Sequence, residues 1–333
     1  VLHYVDDASP GITRKRLSHG WAYFSAAGKR ITRRSTIDRL NAIALPPAYR
    51  DAWFCRDERG HIQAIGWDEK GRKQYRYHAD FRAAQDAAKY DRCADFGRAL
   101  PRIRARVEQD LARRALDRDR VVAAIVRLLD LGRVRIGNPG YTKANRSFGA
   151  TTLRSRHAEV HGHRVRLEYR AKSGKIQQLT ISDARLARIV RRCQDLPGQN
   201  LFQYLDADGT PHPVSSGDVN DYLRAASGAD FTAKHFRTWA ASVIAFATWV
   251  EAGGHLSIGA MLEPVAQALG NTPAIARKSY VHPALIELAG QRTPLPAGLK
   301  LPRRTKYLSP PERGLITFLD TLAKTAQCQP EAA

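Results

Sequence analysis

A chain of 333 residues has room for two domains, or for one large domain with a smaller companion. With 43% hydrophobic and 26% charged residues it is too rich in apolar material for a disordered chain, and 54 Lys plus Arg against 32 Asp plus Glu give a net charge of +22. That surplus points to a polyanionic partner, nucleic acid before anionic membrane, because every cation placed on a phosphate releases condensed counterions.

The membrane reading weakens at once. The longest apolar run, residues 240–250, contains Ser242 and Thr248 and falls far short of the roughly 20 residues of a transmembrane span. The opening Val1-Leu2-His3-Tyr4-Val5-Asp6-Asp7 has neither the basic start nor the apolar core of a secretory signal. Cys55, Cys93, Cys193 and Cys328 show no C-x-x-C pair and no zinc spacing, so they are expected to be buried, reduced thiols of a cytoplasmic protein.

From about Trp21 to Tyr77 short extended segments alternate with polar turns. Trp53-Phe54-Cys55 and His61 to Gly66 read as a hairpin across Asp57-Glu58-Arg59-Gly60, and Asp68-Glu69-Lys70-Gly71 turns the chain into a returning strand, Gln74 to Tyr77. After Asp80 the spacing becomes helical. Ile103, Val107 and Leu111 follow Pro101, which suits a first helical turn, and Val121, Val122, Ile125, Leu128 and Leu129 form the apolar face of a helix that stops at Gly132. Between 152 and 181 the period is two: Val165, Leu167 and Tyr169 alternate with charged residues, and Ser173-Gly174 turns into Ile176 to Ile181, which predicts a three-stranded antiparallel sheet. Helices return behind Ser182, behind Ser215 or Ser216, behind Thr232, from Ser257 to Leu269, and behind Thr272-Pro273 toward Tyr280. A Pro-rich stretch from Pro294 to Pro302 precedes a capping box, Ser309-Pro310-Pro311-Glu312, and a last helix. The fold class expected is α+β, a small β-rich domain over 1–80 and a larger, mainly helical domain over 81–333, with residues 293–333 as Pro-rich stretch and terminal helix.

Residues 133–192 hold fifteen Lys or Arg against Glu159, Glu168 and Asp183, a net +12 over sixty residues. So few carboxylates argue against a metal-dependent nuclease or polymerase, which needs clustered acids to hold its ions. His157-x3-His161-x-His163 has ligand-like spacing, yet Arg154, Arg156, Arg164 and Arg166 crowd it and would repel a cation. Gly66-x4-Gly71 continues as Arg72-Lys73 between strands, which is no P-loop, and no G-x-G-x-x-G occurs. Neither metal nor nucleotide cofactor is expected.

Metal-free phosphoryl transfer needs guanidinium forks for the non-bridging oxygens, a cation that protonates the leaving oxygen, and an attacking hydroxyl. The chain offers Arg135 just after a helix, Lys172 at a hairpin tip, Lys234-x-x-Arg237 on one helix face, and Tyr280 behind Arg277-Lys278-Ser279. In that order these blocks resemble the type IB DNA topoisomerases of the poxvirus-like bacterial kind. Arg135-Ile136-Gly137-Asn138 with Tyr141 and Ser147 to Arg154 is similar to the block around the first catalytic Arg. Tyr169 to Lys175 is similar to the hairpin with the family's lysine, Lys234 to Trp239 to the block of the second Arg, and Leu269 to Pro273 with Lys278-Ser279-Tyr280 to the nucleophile block. Gly71 to His78 is similar to the family's DNA-contacting strand, so the resemblance spans about residues 20–285.

The resemblance implies a tyrosine recombinase/topoisomerase IB-like fold. It implies a DNA-clamping domain over 1–80 and a catalytic domain over 81–333, working as a monomer around duplex DNA in the bacterial nucleoid. It implies Tyr280 as nucleophile, forming a 3′-phosphotyrosyl adduct, and Arg135 and Arg237 as forks, assisted by Lys234. Lys172 is the candidate general acid, since crowding by other cations favours giving up its proton. Gln74, Tyr75, Tyr77, Tyr141, Lys143 and Arg146 are the implied DNA contacts. Asn271 stands where many members carry His; it can donate a hydrogen bond to a phosphate oxygen but carries no charge, which implies weaker transition-state stabilisation there. Two rivals remain at this stage: a tyrosine recombinase or integrase, against which stand the β-rich front and Lys234 where recombinases carry His, and a DNA-binding protein without catalysis.

Overall fold

Short β-branched and aromatic runs separated by Gly-containing turns build the front of the chain into an antiparallel sheet. The computed structural model describes residues 1–69, 71–295 and 300–327, without the side chains of 83, 85–89, 141, 144, 173, 326 and 327. The chain divides into two compact units, Val1–Lys89 and Tyr90–Ala333. The first holds β1 (Ile12–Arg16), β2 (Trp21–Phe24), α1 (Arg34–Ala42), β3 (Arg50–Phe54), β4 (Ile62–Trp67) and β5 (Lys73–Tyr77), with strand order β2-β1-β3-β4-β5. Its core gathers Ile12, Tyr23, Leu40, Leu45, Ala52, Phe54 and Ala64, so α1 seals one face through Leu40. The sequence reading passed over α1, whose apolar periodicity amounts to Ile37 and Leu40 within a polar run. Gly71, at a φ of +67°, allows the turn that makes β5 an edge strand.

The helix α2 (Ala79–Asp91) carries the chain into the second unit. There follow α3 (Cys93–Leu111), α4 (Arg118–Gly132), α5 (Pro139–Asn145), β6 (Ala158–His161), β7 (Arg164–Arg170), β8 (Ile176–Ser182), α6 (Ala184–Gln194), β9 (Gln203–Leu205) and β10 (Pro211–Pro213). Then come α7 (Ser216–Ser227), α8 (Ala233–Glu251), α9 (Ile258–Leu269), α10 (Pro273–Ser279), α11 (Pro283–Gln291) and α12 (Pro310–Gln327). The fold is α+β, and the three-stranded antiparallel sheet has the order β6-β7-β8, with Val165, Leu167 and Tyr169 facing inward.

Two expectations need correction. Pro101 does not open a helix; it lies inside α3, whose buried stripe of Phe96, Leu100, Ile103 and Val107 holds the helix together across the missing N–H. The helix expected behind Ser182 is capped by Asp183, whose carboxylate accepts from Arg185 N and Leu186 N, while Ser182 ends β8. Cys55, Cys93 and Cys193 are buried free thiols, and Cys328 lies outside the described residues. No helix among the described residues is long and apolar enough to cross a membrane.

Both α3 and α4 meet in the main core around Ile125, which has no exposed surface. Ile125→Ala is therefore expected to destabilise the larger unit by about 2–5 kcal/mol, from lost transfer energy plus the cavity left behind, as measured by denaturant unfolding.

Candidate active site

The end of α4 sets the first arginine. Gly132 closes the helix, and Arg133 follows in the left-handed region at a φ of 53°, its N–H returning to Leu129 O at 3.0 Å. The chain then leaves the helix through Arg135, braced by the segment around Gly149. Ala150 N donates to Arg135 O at 2.8 Å, and Thr151 N donates to Ile136 O at 2.7 Å. The brace is tight: a Cβ on Gly149 would lie 2.5 Å from Gly137 N and 2.6 Å from Arg135 O.

The second arginine comes from the first turns of α8. His235 Nδ1 accepts from Thr232 N at 3.0 Å, and its ring packs on Phe96 and Phe231, so this histidine serves the helix start. Arg237 is only 3% exposed. One of its terminal nitrogens donates to Arg133 O and the other to Leu269 O at 3.0 Å, whereas Nε is buried without a partner among the described residues. Burial and the neighbouring Arg135 both lower its pKa.

The third piece is the stretch from α9 to α11. Gly270 ends α9 at a φ of 62°, and Asn271 then accepts from Arg135 Nη2 through Oδ1 at 2.8 Å while its Nδ2 is buried without a partner among the described residues. Thr272 caps α10, and Tyr280 stands just past its end rather than within it, its N–H bonded to Ala276 O at 3.0 Å. Beyond it, His282 N donates to Ser242 Oγ of α8 at 3.1 Å, which ties the segment after Tyr280 to the helix that carries Arg237.

These elements converge on the Tyr280 ring, whose centre is 4.8 Å from Arg237 Cζ. Burial raises the Tyr280 pKa, but Arg237 and then Arg135, by charge and by hydrogen bonding, bring it below the ordinary phenol value. Tyr169, on the inner face of β7, senses the same two arginines; burial prevails there and pushes its pKa up to about 12. The structure thus brings Tyr280, Arg135, Arg237 and Asn271 together.

The remaining predicted residues stand elsewhere. Lys172 is exposed on a 3-10 turn, Lys172–Gly174, between β7 and β8, and Lys234 is exposed on α8 one turn before the buried Arg237. Among the described residues neither ammonium is in a hydrogen bond or ion pair. Lys143 and Arg146 are exposed at and just beyond the end of α5, and the side chain of Tyr141 lies outside the described residues. In the first unit Tyr75 and Tyr77 are 37% and 42% exposed on edge strand β5 and stack at 5.9 Å, with Lys73 over Tyr75; Gln74 faces the other way and donates to Asp68 at 3.1 Å. His157 packs edge-on against Phe148 at 4.5 Å and accepts from Arg154 N.

Sequence reasoning missed three contributors: the carbonyl of Arg133, the hydroxyl of Ser242, and Tyr169 as neighbour of both arginines. The alternation of β7 showed that Tyr169 faces inward; nothing local announced what it faces.

Chemically the site is a concentration of uncompensated positive charge. Among the described residues no carboxylate pairs with Arg135 or Arg237, although half-buried Arg104 in the same unit is held by Asp130 and Glu312. A buried guanidinium without a counter-charge is costly, and the unpaired N–H groups of Arg237 and Asn271 favour an anionic guest with acceptor oxygens beside the Tyr280 hydroxyl.

Comparisons with known proteins bear on this arrangement. A family model described as eukaryotic DNA topoisomerase I, catalytic core, matches residues 78–277, and one described as bacterial DNA topoisomerase IB, N-terminal domain, matches residues 20–68. A DNA topoisomerase 1B of Acanthamoeba polyphaga mimivirus is 28% identical over 292 residues, covering 84% of this chain and 87% of the relative.

Two outcomes are expected from the geometry. Arg237→Ala should raise the Tyr280 pKa above the ordinary phenol value of about 10, since burial remains and the larger cationic influence is gone; the tyrosine ring-carbon NMR shift against pH measures it. Gly149→Ala keeps a permitted φ of −152° but drives a methyl into backbone, so it should destabilise the larger unit by about 1–3 kcal/mol in thermal unfolding.

Proposed function

The chain belongs to the type IB DNA topoisomerase family, and on that premise we propose that it relaxes supercoiled duplex DNA by cutting and resealing one strand through Tyr280, without ATP and without a metal ion. The observation that carries this reading is the buried, uncompensated Arg237 over the Tyr280 ring, with Arg135 bonded to Asn271 beside it. In the reaction the Tyr280 oxygen attacks a backbone phosphorus and gives up its proton to solvent water; the bond to the 5′ oxygen breaks, and that oxygen takes a proton from Lys172, which regains one from water. A 3′-phosphotyrosyl enzyme and a free 5′-hydroxyl result. Religation is the reverse attack by the 5′-hydroxyl, with strand rotation between the two steps.

Arg237 and Arg135 hold the non-bridging oxygens and the charge that develops on them, and the same cations favour the phenolate of Tyr280. Asn271 adds a neutral donor. Lys234, one turn before Arg237, adds positive charge at the rim, and Lys172 reaches the leaving oxygen from its turn. Duplex DNA is the partner of a monomer: Tyr75 and Tyr77, exposed on an edge strand, and Gln74 contact it from the first unit, and Tyr141, Lys143 and Arg146 from the second. Bacterial nucleoid DNA is the proposed substrate in the cell.

Supercoiled plasmid incubated with the protein in chelator, without ATP, should relax, and detergent quenching should trap protein at a 3′ end. Tyr280→Phe should bind DNA and do neither; absence of relaxation and adduct in the wild type across a range of salt sinks the proposal. Arg135→Ala and Arg237→Ala should each slow cleavage by about 10²–10³-fold. Lys172→Ala should be rescued by a substrate whose leaving group needs no proton, and failure of that rescue removes Lys172 from its role as acid.

A further inference from the structure

The C-terminal helix reaches the elements that hold Arg237 through one carboxylate. Ser309 N and Oγ donate to Glu312 Oε2 at 2.8 and 2.9 Å, the capping box that opens α12. The other oxygen, Oε1, accepts from Arg104 Nη2 of α3 at 2.7 Å and from Trp239 Nε1 of α8 at 3.2 Å. Arg104 places further donors on Asp130 of α4 at 2.8 and 2.9 Å and on Tyr307 O. A cap requires none of these interhelical partners, and Glu312 is only 8% exposed. Trp239 is held from a second direction: a Cβ on Gly97 of α3 would lie 2.3 Å from its ring, so the indole rests in a notch that only glycine leaves open.

Trp239 follows Arg237 by two positions, about 200° around the helix, so indole and guanidinium leave opposite flanks of α8. We propose that Glu312, acting through Trp239, is a positioning residue for Arg237: α12 sets the rotation of α8 about its own axis and thereby the direction of the guanidinium. The inference rests on the role given to Arg237 above. The lever is direct, because a rotation of about 10° moves a group about 6 Å from the axis by about 1 Å, a displacement large enough to cost a reaction dearly.

The test is single-turnover cleavage of a duplex substrate across pH by the full-length protein, with DNA affinity measured in parallel. Trp239→Phe removes the Nε1–H and keeps an aromatic ring; Glu312→Gln removes the charge that Arg104 and Trp239 share. Both are expected to cleave about tenfold more slowly while DNA affinity stays within about twofold. Their pH–rate profiles should move to higher pH, because an Arg237 turned aside stabilises the Tyr280 phenolate less. A lowered melting temperature with the wild-type cleavage rate and wild-type pH profile overturns the proposal, since a purely structural role predicts that pattern. If Trp239→Phe does not fold, Glu312→Gln decides alone, since it keeps the size of the side chain and one acceptor oxygen, and an unmoved profile counts against positioning. A wild-type adduct that disappears in Tyr280→Phe shows the parent reading intact, so a null result in these variants falls on the positioning role alone.

Discussion

A guanidinium buried to 3% exposure, with no carboxylate paired to it among the described residues, is the constraint on which the larger unit depends. Removing such a charge from water costs several kcal/mol unless other groups compensate, and here the backbone carbonyls of Arg133 and Leu269 do so, together with Tyr280, whose ring lies 4.8 Å from the guanidinium. Those carbonyls are available because two helices end where they do. The left-handed residue after α4 turns Arg133 O toward Arg237, and the end of α9 at Gly270 presents Leu269 O. The endings of two helices and the direction of a third thus serve one side chain.

The net charge of +22 divides into parts of different character. Many arginines are neutralised: Arg104 by Asp130 and Glu312, Arg127 by Asp183, Arg118 by Asp218. These shape the fold and contribute little to an outward field. Arg135 and Arg237 have no carboxylate partner among the described residues, and Lys143, Arg146, Lys172 and Lys234 are exposed. The exposed group acts at long range and is screened by salt, whereas the buried pair acts at contact distance in a medium of low dielectric constant.

Asn271 illustrates how a neutral residue works within such a site. Its carbonyl oxygen orients Arg135 at 2.8 Å, and that bond leaves the amide N–H groups to face any acceptor that enters. A protonated histidine in the same place has no acceptor to offer a guanidinium. Against the histidine that the resemblance implies at this position, Asn271 exchanges a charge for a fixed orientation of Arg135.

The sequence alone determined the residue types and their order, the α+β class, and the extents of β4, β5, β8, α7, α8 and α9 to within about a residue, because capping residues, turn glycines and the periods of 2 and 3.6 are local properties. Local signals failed where packing overrode them: Pro101 inside α3 is tolerated for the sake of a buried stripe, and α1 is too short and polar to show a period. Helical spacing put Lys234 and Arg237 on one face but said nothing of what covers it. Only the tertiary structure decided that the first is exposed and the second buried, that the charges of both arginines act on the buried Tyr169, and that a capping glutamate in the last helix grips Trp239. Each of these depends on elements far apart in the chain meeting at one point, and burial and electrostatics are properties of that meeting rather than of any residue read in order.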